Sequence, residues 1–208
     1  MEINKIDSIY LTRQNLRLLL GVKRRTLDYR IASLIKKNIL SPLKKGFYLN
    51  LNYFDRSSNK MRLLEYLGQI MVYPSYLSLE YVLAERGFLA ESVYTLTYIT
   101  SKKTRKISTP ISNFVYRNIK ESLYFGFTQE EVDQASYYKA SFAKALFDLI
   151  YLSSWEGDRQ RDDFLLNSRF NWNVFKTKDK IEFKKIITTA KIKKMTQVYK
   201  FLKQKKLI

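Results

Sequence analysis

The stretch that decides the fold runs from Leu11 to Asn50 and reads LTRQNLRLLLGVKRRTLDYRIASLIKKNILSPLKKGFYLN. Apolar residues in its centre recur every three or four positions, which predicts a helix over residues 23–38. A single stripe of side chains would face a small core, because residues at this spacing share one side of a helix. The stripe consists of Leu27, Ile31, Leu34 and Ile35.

The opposite side of this predicted helix is basic and polar. At about 100° per residue, five side chains point away from the apolar stripe. Arg24 falls nearer the stripe, but in the first turn its long side chain can still reach outward. The outward face carries Arg25, Thr26, Tyr29, Ser33 and Lys36, with Arg30 and Lys37 on its flank.

The sequence on both sides of this helix predicts a helix-turn-helix followed by a β-hairpin. Thr12 is a candidate N-cap of a first short helix, although Asn15 stands where a full capping box has Glu or Gln. Gly21 would end that helix. Downstream, Lys44 and Lys45 would occupy the tip of a hairpin of the kind called a wing. Upstream, a further short helix in residues 2–10, with Ile3, Ile6 and Ile9 facing inward, would complete the small core.

This order of elements is typical of a winged helix-turn-helix that binds double-stranded operator DNA. The alternative is an ordinary three-helix core whose basic residues are merely solvated. Base edges would be contacted from the outward face, and phosphates from the flank and the wing. The predicted base contacts are Arg25, Thr26, Tyr29 and Ser33, and the predicted phosphate contacts are Arg24, Arg30, Lys36, Lys37, Lys44 and Lys45.

Charge is concentrated at the two ends of the chain. The net charge is +19, with 13 Lys/Arg against 4 Asp/Glu in residues 1–60, 13 against 13 in residues 61–175, and 12 against 2 in residues 176–208. Such a distribution favours a polyanionic partner. For the C-terminal segment, the pattern alone leaves two interpretations open: a phosphate-contacting face and a face without a partner.

Composition argues against most catalytic chemistry. The chain has no cysteine and no histidine, which removes disulfides, thiol chemistry, imidazole catalysis and Cys/His zinc sites. Phosphate-binding and nucleophile motifs are missing, so we predict no enzyme, no cofactor and no metal. The acids near Glu182 and Asp162 fit solvated surfaces better than a metal site. The sequence has neither a secretory signal nor a spanning segment, and it predicts a cytoplasmic protein without membrane contact.

The remainder of the chain predicts a second domain. We place the boundary near residue 56, giving domains 1–56 and 57–208. A mixed sheet is expected from strands at 93–100, 105–108 and 114–119, with another short strand or turn at 124–128. A buried helix should follow up to Trp155, with Lys144 and Asp148 at i and i+4 where they could pair. An exposed turn is expected at 157–163, and two lysine-rich helices at 178–208, with Ile181 among the inward residues of the first.

Two segments of this second domain carry a family resemblance. The first, Tyr73 to Phe127, reads YPSYLSLEYVLAERGFLAESVYTLTYITSKKTRKISTPISNFVYRNIKESLYFGF, and the second, Tyr137 to Leu152, reads YYKASFAKALFDLIYL. They resemble the AbiEi-like antitoxins, the transcriptional regulators of type IV toxin-antitoxin pairs in abortive infection and phage defence. The run Ala-Ser-Pro-Glu-Lys-Ala-Leu-x-Asp of that family corresponds to Ala140–Asp148, with Phe142 and Ala143 replacing Pro and Glu.

The residue patterns predict an α+β protein: a winged helix-turn-helix at the N-terminus, then a mixed sheet with helices that ends in a lysine-rich helical pair. The resemblance implies that the N-terminal head, residues 1–56, represses its own operon and that the second domain counters a nucleotidyltransferase-like toxin, without requiring a stable complex. Lys144 and Asp148 are the motif residues that carry over. A stand-alone winged-helix regulator and a direct protein-binding inhibitor are the alternatives. Both a monomer on repeated half-sites and a self-associated dimer on DNA fit the sequence.

Overall fold

A computed structural model of the protein describes residues 6–133, 135–167 and 169–208. Its N-terminal part contains three helices, a β-hairpin and a further strand that pairs with the hairpin. The strands form an antiparallel sheet in the order β1-β3-β2. The elements are β1 (Tyr10–Thr12), α1 (Arg13–Leu20), α2 (Arg24–Lys36), β2 (Leu40–Lys44), β3 (Phe47–Asn50) and α3 (Leu51–Arg56).

This small sheet is buried on both faces. Alternate residues of a strand point to opposite sides. In β3, Tyr48 therefore packs on a small core with Leu27 and Ile31, whereas its neighbours Phe47 and Leu49 join the large core of the second part of the chain. Lys44 reinforces the junction, since its ammonium donates to the main-chain carbonyl of Met71. The two cores are separate, but the hairpin contributes side chains to both, so the N-terminal part packs directly against the remainder of the protein.

The predicted helix at residues 2–10 is wrong for the residues that the structure describes. Ile9 is buried next to β1, and Tyr10 pairs with Leu49 of β3. The apolar residues therefore serve a strand whose partner lies far along the chain. Ile3 lies outside the described residues.

The second part of the chain contains six strands and six helices among its described residues. Short 3-10 turns at Glu121–Leu123 and Trp172–Val174 connect some of them. The elements are α4 (Lys60–Met71), β4 (Ser75–Leu77), α5 (Leu79–Glu85), β5 (Leu96–Thr100), β6 (Arg105–Ser108), β7 (Asn113–Asn118), β8 (Phe127–Val132), β9 (Ala135–Ala140), α6 (Phe142–Leu152), α7 (Asp158–Asn167), α8 (Thr177–Ala190) and α9 (Lys193–Gln204).

The six strands form one mixed sheet in the order β6-β7-β5-β4-β9-β8. The pairs β5–β7 and β4–β9 are parallel, and the other pairs are antiparallel. The predicted mixed sheet and the α+β class are thus confirmed. The central strand β4 is only three residues long and was not predicted, because YPSYL offers too short a pattern.

Helices cover both faces of this sheet. On one face, buried tyrosine hydroxyls bond to α4: Tyr98 donates to the carbonyl oxygen of Glu65 at 2.8 Å, and Tyr116 donates to that of Gly68 at 2.7 Å. On the other face, Tyr76 of β4 donates to Asp148 of α6 at 3.0 Å. Helices α8 and α9 pack against α6. The protein is therefore layered, with α6 between the sheet and the C-terminal helices.

The buried helix α6 is preceded by a full strand, β9, that forms a hairpin with β8. Two further expectations need correction. The predicted turn at 157–163 is mostly helix, since α7 begins at Asp158. Ile181 is 66% exposed rather than inward, and Phe183 is buried in its place. The predicted pair of C-terminal helices is confirmed.

Across the described residues, no helix is both long enough and apolar enough to cross a membrane.

Gly68 of α4 gives a test of the close packing of this helix on the sheet. A Cβ at this position would lie 2.2 Å from the hydroxyl oxygen of Tyr98, so α4 or the tyrosine would have to move. We expect Gly68→Ala to lower the free energy of unfolding by about 1–3 kcal/mol, as overpacking of a tight core does. Urea unfolding measures this change. Met61→Ala on the exposed side of α4 is the control, and equal loss in both variants would contradict the packing argument.

Candidate nucleic-acid interface

Local capping interactions define where α1 begins and ends, and a short turn then connects it to α2. The Thr12 hydroxyl accepts the main-chain N–H of Asn15 at 3.1 Å, and the Asn15 side chain accepts the main-chain N–H of Thr12 at 3.0 Å. Asn15 therefore completes the reciprocal capping box that the sequence suggested was missing. Gly21 has φ +61°, the left-handed conformation that suits a helix C-cap, and it ends α1 as predicted.

An ion pair ties the start of α1 to α2. The Arg13 guanidinium contacts both carboxylate oxygens of Asp28, with Nη2 to Oδ2 at 2.9 Å. The hydrogen bond from Arg13 holds the pKa of Asp28 below its usual value. Both side chains are solvated, so the pair contributes modestly to stability. It links α1 to α2. It also engages Asp28, which is the one acidic residue of α2.

The predicted outward face of α2 is a solvent-exposed surface. Tyr29 is 75% exposed although it lies in the middle of the helix, while Leu27 and Ile31 on the opposite side are buried. Ser33 is half-buried, and α2 ends at Lys36 with Lys37 as its cap residue. Arg24, Arg25, Thr26, Arg30, Lys36 and Lys37 are exposed.

The ion pairs in the part of the chain that the structure describes do not include the cations of this surface, which are Arg24, Arg25, Arg30 and the lysines at the end of α2. The charge of Arg24 is near enough to Asp28 to help lower the pKa of that carboxyl. Thr26 donates its hydroxyl to the carbonyl of Lys23 at 3.2 Å, and Lys23 gives no side-chain cap. The surface therefore combines positive charge with main-chain donors at a helix N-terminus, the combination that binds phosphate.

The structure treats the two hairpin lysines differently. Lys45 is exposed in the turn, next to Gly46, whose carbonyl accepts the N–H of Arg13 at 2.8 Å. Lys44 instead directs its ammonium to the carbonyl of Met71 at the end of α4. Lys45 is free to contact a phosphate, whereas a contact by Lys44 would compete with a bond inside the protein.

Two further basic residues, Lys102 and Arg105, lie near Lys44. Burial lowers the pKa of Lys44, and the nearby charges of Arg105 and Lys102 lower it further. These two residues belong to the β5–β6 connection and to β6, which contacts β2. The sequence showed basic residues between two strands, but their position next to the hairpin depends on tertiary structure. The positive surface of the hairpin therefore continues onto the second part of the chain.

Lys144 and Asp148, the residues carried over from the family motif, form an ion pair in the core. The ammonium nitrogen lies 2.6 Å from Asp148 Oδ1, both side chains are fully buried, and the ammonium also donates to the carbonyl of Leu123 at 2.9 Å. Asp148 Oδ2 accepts hydroxyls from Tyr76 at 3.0 Å and Ser78 at 2.8 Å. The predicted pairing at i and i+4 is confirmed. Neither side chain is accessible to a partner.

Burial shapes the ionisation of this pair. It raises the pKa of Asp148 and lowers the pKa of Lys144, and the opposite charge of each residue counteracts the shift of the other. The hydroxyls of Ser78 and Tyr76 further favour the carboxylate. The structure around the pair therefore gives the ammonium two acceptors and the carboxylate three donors, which offsets the cost of burying the two charges.

The candidate metal ligands near Asp162 and Glu182 lie beside basic residues. Asp158 and Asp162 both pair with Arg161, at 2.8 and 2.6 Å. Glu182 lines an open groove of about 890 Å³ beside Lys176 and Lys178. Among the described residues, no group of three His, Cys, Asp or Glu side chains is placed to hold a metal ion.

No model of a known protein family matches the sequence, and no curated protein sequence matches it at a significant level. The family resemblance of the second domain therefore stays a prediction.

The structural role of the buried ion pair is testable by unfolding. Asp148→Ala leaves the Lys144 ammonium buried without its partner, so we expect a loss of about 3–5 kcal/mol in the free energy of unfolding. The double variant Lys144→Met/Asp148→Leu removes both charges and should recover most of that loss. Denaturant unfolding of the three proteins measures the effect. A double variant as unstable as Asp148→Ala would contradict the ion-pair argument.

Proposed function

We propose that the protein is a DNA-binding autorepressor and antitoxin whose N-terminal part is a winged helix-turn-helix. In this proposal α2 is the recognition helix, α1 crosses the DNA backbone, and the β2–β3 hairpin is the wing. The single observation that carries the DNA-binding part is the outward face of α2. It presents exposed Arg25, Tyr29 and Arg30, with no ion pair to them among the described residues.

On this face we assign base contacts and phosphate contacts to different side chains. Arg25 and Tyr29 lie in the first turns of α2, where residues of a recognition helix reach base edges in the major groove. Arg24 and Arg30 flank them and would neutralise phosphates, as would Lys36, Lys37 and Lys45. Lys44 keeps its predicted phosphate role only if its bond to Met71 opens.

An arginine that reads a base is distinguishable from a lysine that contacts a phosphate. We expect Arg25→Ala to weaken binding to the duplex upstream of the protein's own gene by about 1–3 kcal/mol and to relax specificity at one position. Lys45→Ala should weaken binding to all sequences and lower the salt slope by about 1. Gel shifts over a range of salt concentrations measure both effects.

Lys120→Ala serves as the control, because Lys120 is an exposed lysine outside the head. It should leave operator affinity unchanged. Operator binding by Arg25→Ala as tight as that of the parent would overturn the assignment of α2 to the groove.

The antitoxin part of the proposal rests on the resemblance of residues 73–127 and 137–152. We propose that this part of the chain counters a nucleotidyltransferase-like toxin in the cytoplasm and that operator binding is not needed for this effect. The buried Lys144–Asp148 pair supports a scaffold role for the motif, so the surfaces that act on the toxin or its substrate lie elsewhere.

Separation of the two roles is testable in the full-length chain. We expect Arg25→Ala/Arg30→Ala to lose repression of a reporter driven by the protein's own promoter, while it still protects cells that express the nucleotidyltransferase-like product of the adjacent gene. Colony counts and reporter activity measure the two outcomes. Loss of protection at equal protein level would show that antitoxicity depends on the head.

A further inference from the structure

The C-terminal helices carry a second basic surface, which we call the C-terminal lysine surface. Of the 12 lysines in residues 176–208, ten are exposed. They come from α8, from α9 and from the residues that flank these helices. The ten are Lys176, Lys178, Lys184, Lys185, Lys191, Lys193, Lys200, Lys203, Lys205 and Lys206.

The exposed lysines have no carboxylate partner in the described part of the chain, where the ion pairs involve other residues. Only two acids occur in this segment. Asp179 is buried and accepts the main-chain N–H of Lys176 at 3.1 Å, and Glu182 is half-buried in the groove beside α4. The positive charge of the surface is therefore not neutralised from within the segment.

Lys194 of α9, in contrast, is a lysine that contributes to the fold. Its ammonium donates to the carbonyl oxygens of Ile150 at 2.8 Å and Tyr151 at 3.0 Å, and it lies 4.2 Å from the centre of the Trp155 ring. Burial lowers its pKa. The neighbouring Lys193 is exposed and has none of these contacts. Among the ten exposed lysines, Lys176 donates to the carbonyl of Asn173 at 2.7 Å and Lys205 lies 5.7 Å from the centre of the Phe201 ring. Within the described residues, fold stability accounts for Lys194 but not for the exposed lysines of α9, which are Lys193, Lys200 and Lys203.

The outward side of α9 has no negative charge. Its stripe at helical spacing is Lys193, Gln197, Lys200 and Gln204, with Lys203 beside it. Lysines without interspersed glutamates repel one another and forgo the ion pairs that usually stabilise a surface helix. The middle of the same chain has 13 acidic for 13 basic residues, so a general bias toward lysine does not explain the pattern. A polyanionic partner does explain it.

The side chains between the lysines decide which polyanion fits. Single-stranded nucleic acid is bound through exposed aromatic rings that stack on bases. In α8 and α9 the exposed large hydrophobic residue is Ile181, and Phe183 and Phe201 are buried. The apolar sides of both helices pack into the core, so they are not available to enter a lipid surface. A lysine surface flanked by threonine and glutamine suits the backbone of a duplex.

We infer that the C-terminal lysine surface binds the phosphate backbone of double-stranded DNA without sequence preference, as a contact separate from the helix-turn-helix. Phosphate contacts of this kind give salt-dependent affinity and no base recognition. This second contact goes beyond the proposed function, because it requires neither an operator nor a toxin.

The test uses the full-length protein and a short duplex of scrambled sequence. The triple variant Lys193→Gln/Lys200→Gln/Lys203→Gln should bind this duplex more weakly, and the slope of log affinity against log salt should fall by about 0.9 for each lysine that contacts phosphate. Replacement of the same three lysines by arginine should preserve the parent slope. Arg56→Gln/Lys120→Gln/Arg159→Gln removes the same net charge from exposed sites elsewhere and should leave most of the slope intact.

A parent-like salt slope in the glutamine variant would overturn the inference, as would an equal fall in the dispersed control. Preferential loss of binding to single-stranded RNA or to anionic vesicles, with duplex binding unchanged, would also overturn it. A second measurement needs no variant: the scrambled duplex should protect Lys193 and Lys200 of the parent chain from acetylation and leave Lys120 reactive. Failure of Arg25→Ala to affect operator binding would contradict the proposed head and leave this inference standing.

Discussion

The buried pair of Lys144 and Asp148 connects three segments of the second part of the structure, and neither ion can lose its partner there without a large loss of stability. It joins α6 to the short central strand β4 through Tyr76, and to the 3-10 turn through the carbonyl of Leu123. Gly126 is constrained by it as well, since a Cβ there would lie 3.1 Å from the Lys144 side chain. Ions in a core are tolerated only when hydrogen bonds satisfy them, so the pair requires these segments to keep their positions.

A different constraint couples the head to that core. The β2–β3 hairpin places Tyr48 in the small core and Phe47 and Leu49 in the large one, and Lys44 bonds to the last residue of α4. A hairpin that only projected into solvent would have one buried face at most. Movement of the hairpin would therefore disturb both cores, and the orientation of α2 relative to the sheet domain is determined by packing as well as by the connecting chain.

The structure shows which features the sequence could predict. The apolar stripe of α2 and the Gly21 turn were predictable, because they arise from spacing and backbone conformation within a few residues. The i and i+4 pairing of Lys144 with Asp148 was predictable for the same reason. The N-terminal helix was not, since the three-residue spacing of isoleucines also fits the approach to a strand, and Tyr10 pairs with Leu49 far along the chain.

Other features escaped prediction because tertiary contacts determine them. Helix α7 is mostly polar, so its sequence resembles a turn, and its Leu165 is fully buried. Strand β8 is rich in glutamate and lies at the edge of the sheet, where polar residues are tolerated. The bond of Lys44 to Met71 and its closeness to Arg105 follow from packing between elements, which no local pattern encodes.

Lysines in this protein have at least two physical roles, and burial with hydrogen bonding distinguishes them. Lys44, Lys144 and Lys194 each donate to main-chain carbonyls, and burial lowers the pKa of each. Such lysines bind carbonyl groups in the last turns of helices, namely α4, the 3-10 turn before β8, and α6. The exposed lysines of α2 and α9 lack these partners and add repulsion instead, which a folded chain tolerates at low cost only when the charges remain in water. Their clustering at both ends of a chain with a neutral middle is the observation on which the two proposed DNA contacts rest. The total number of basic residues would not have distinguished these lysines from the structural ones.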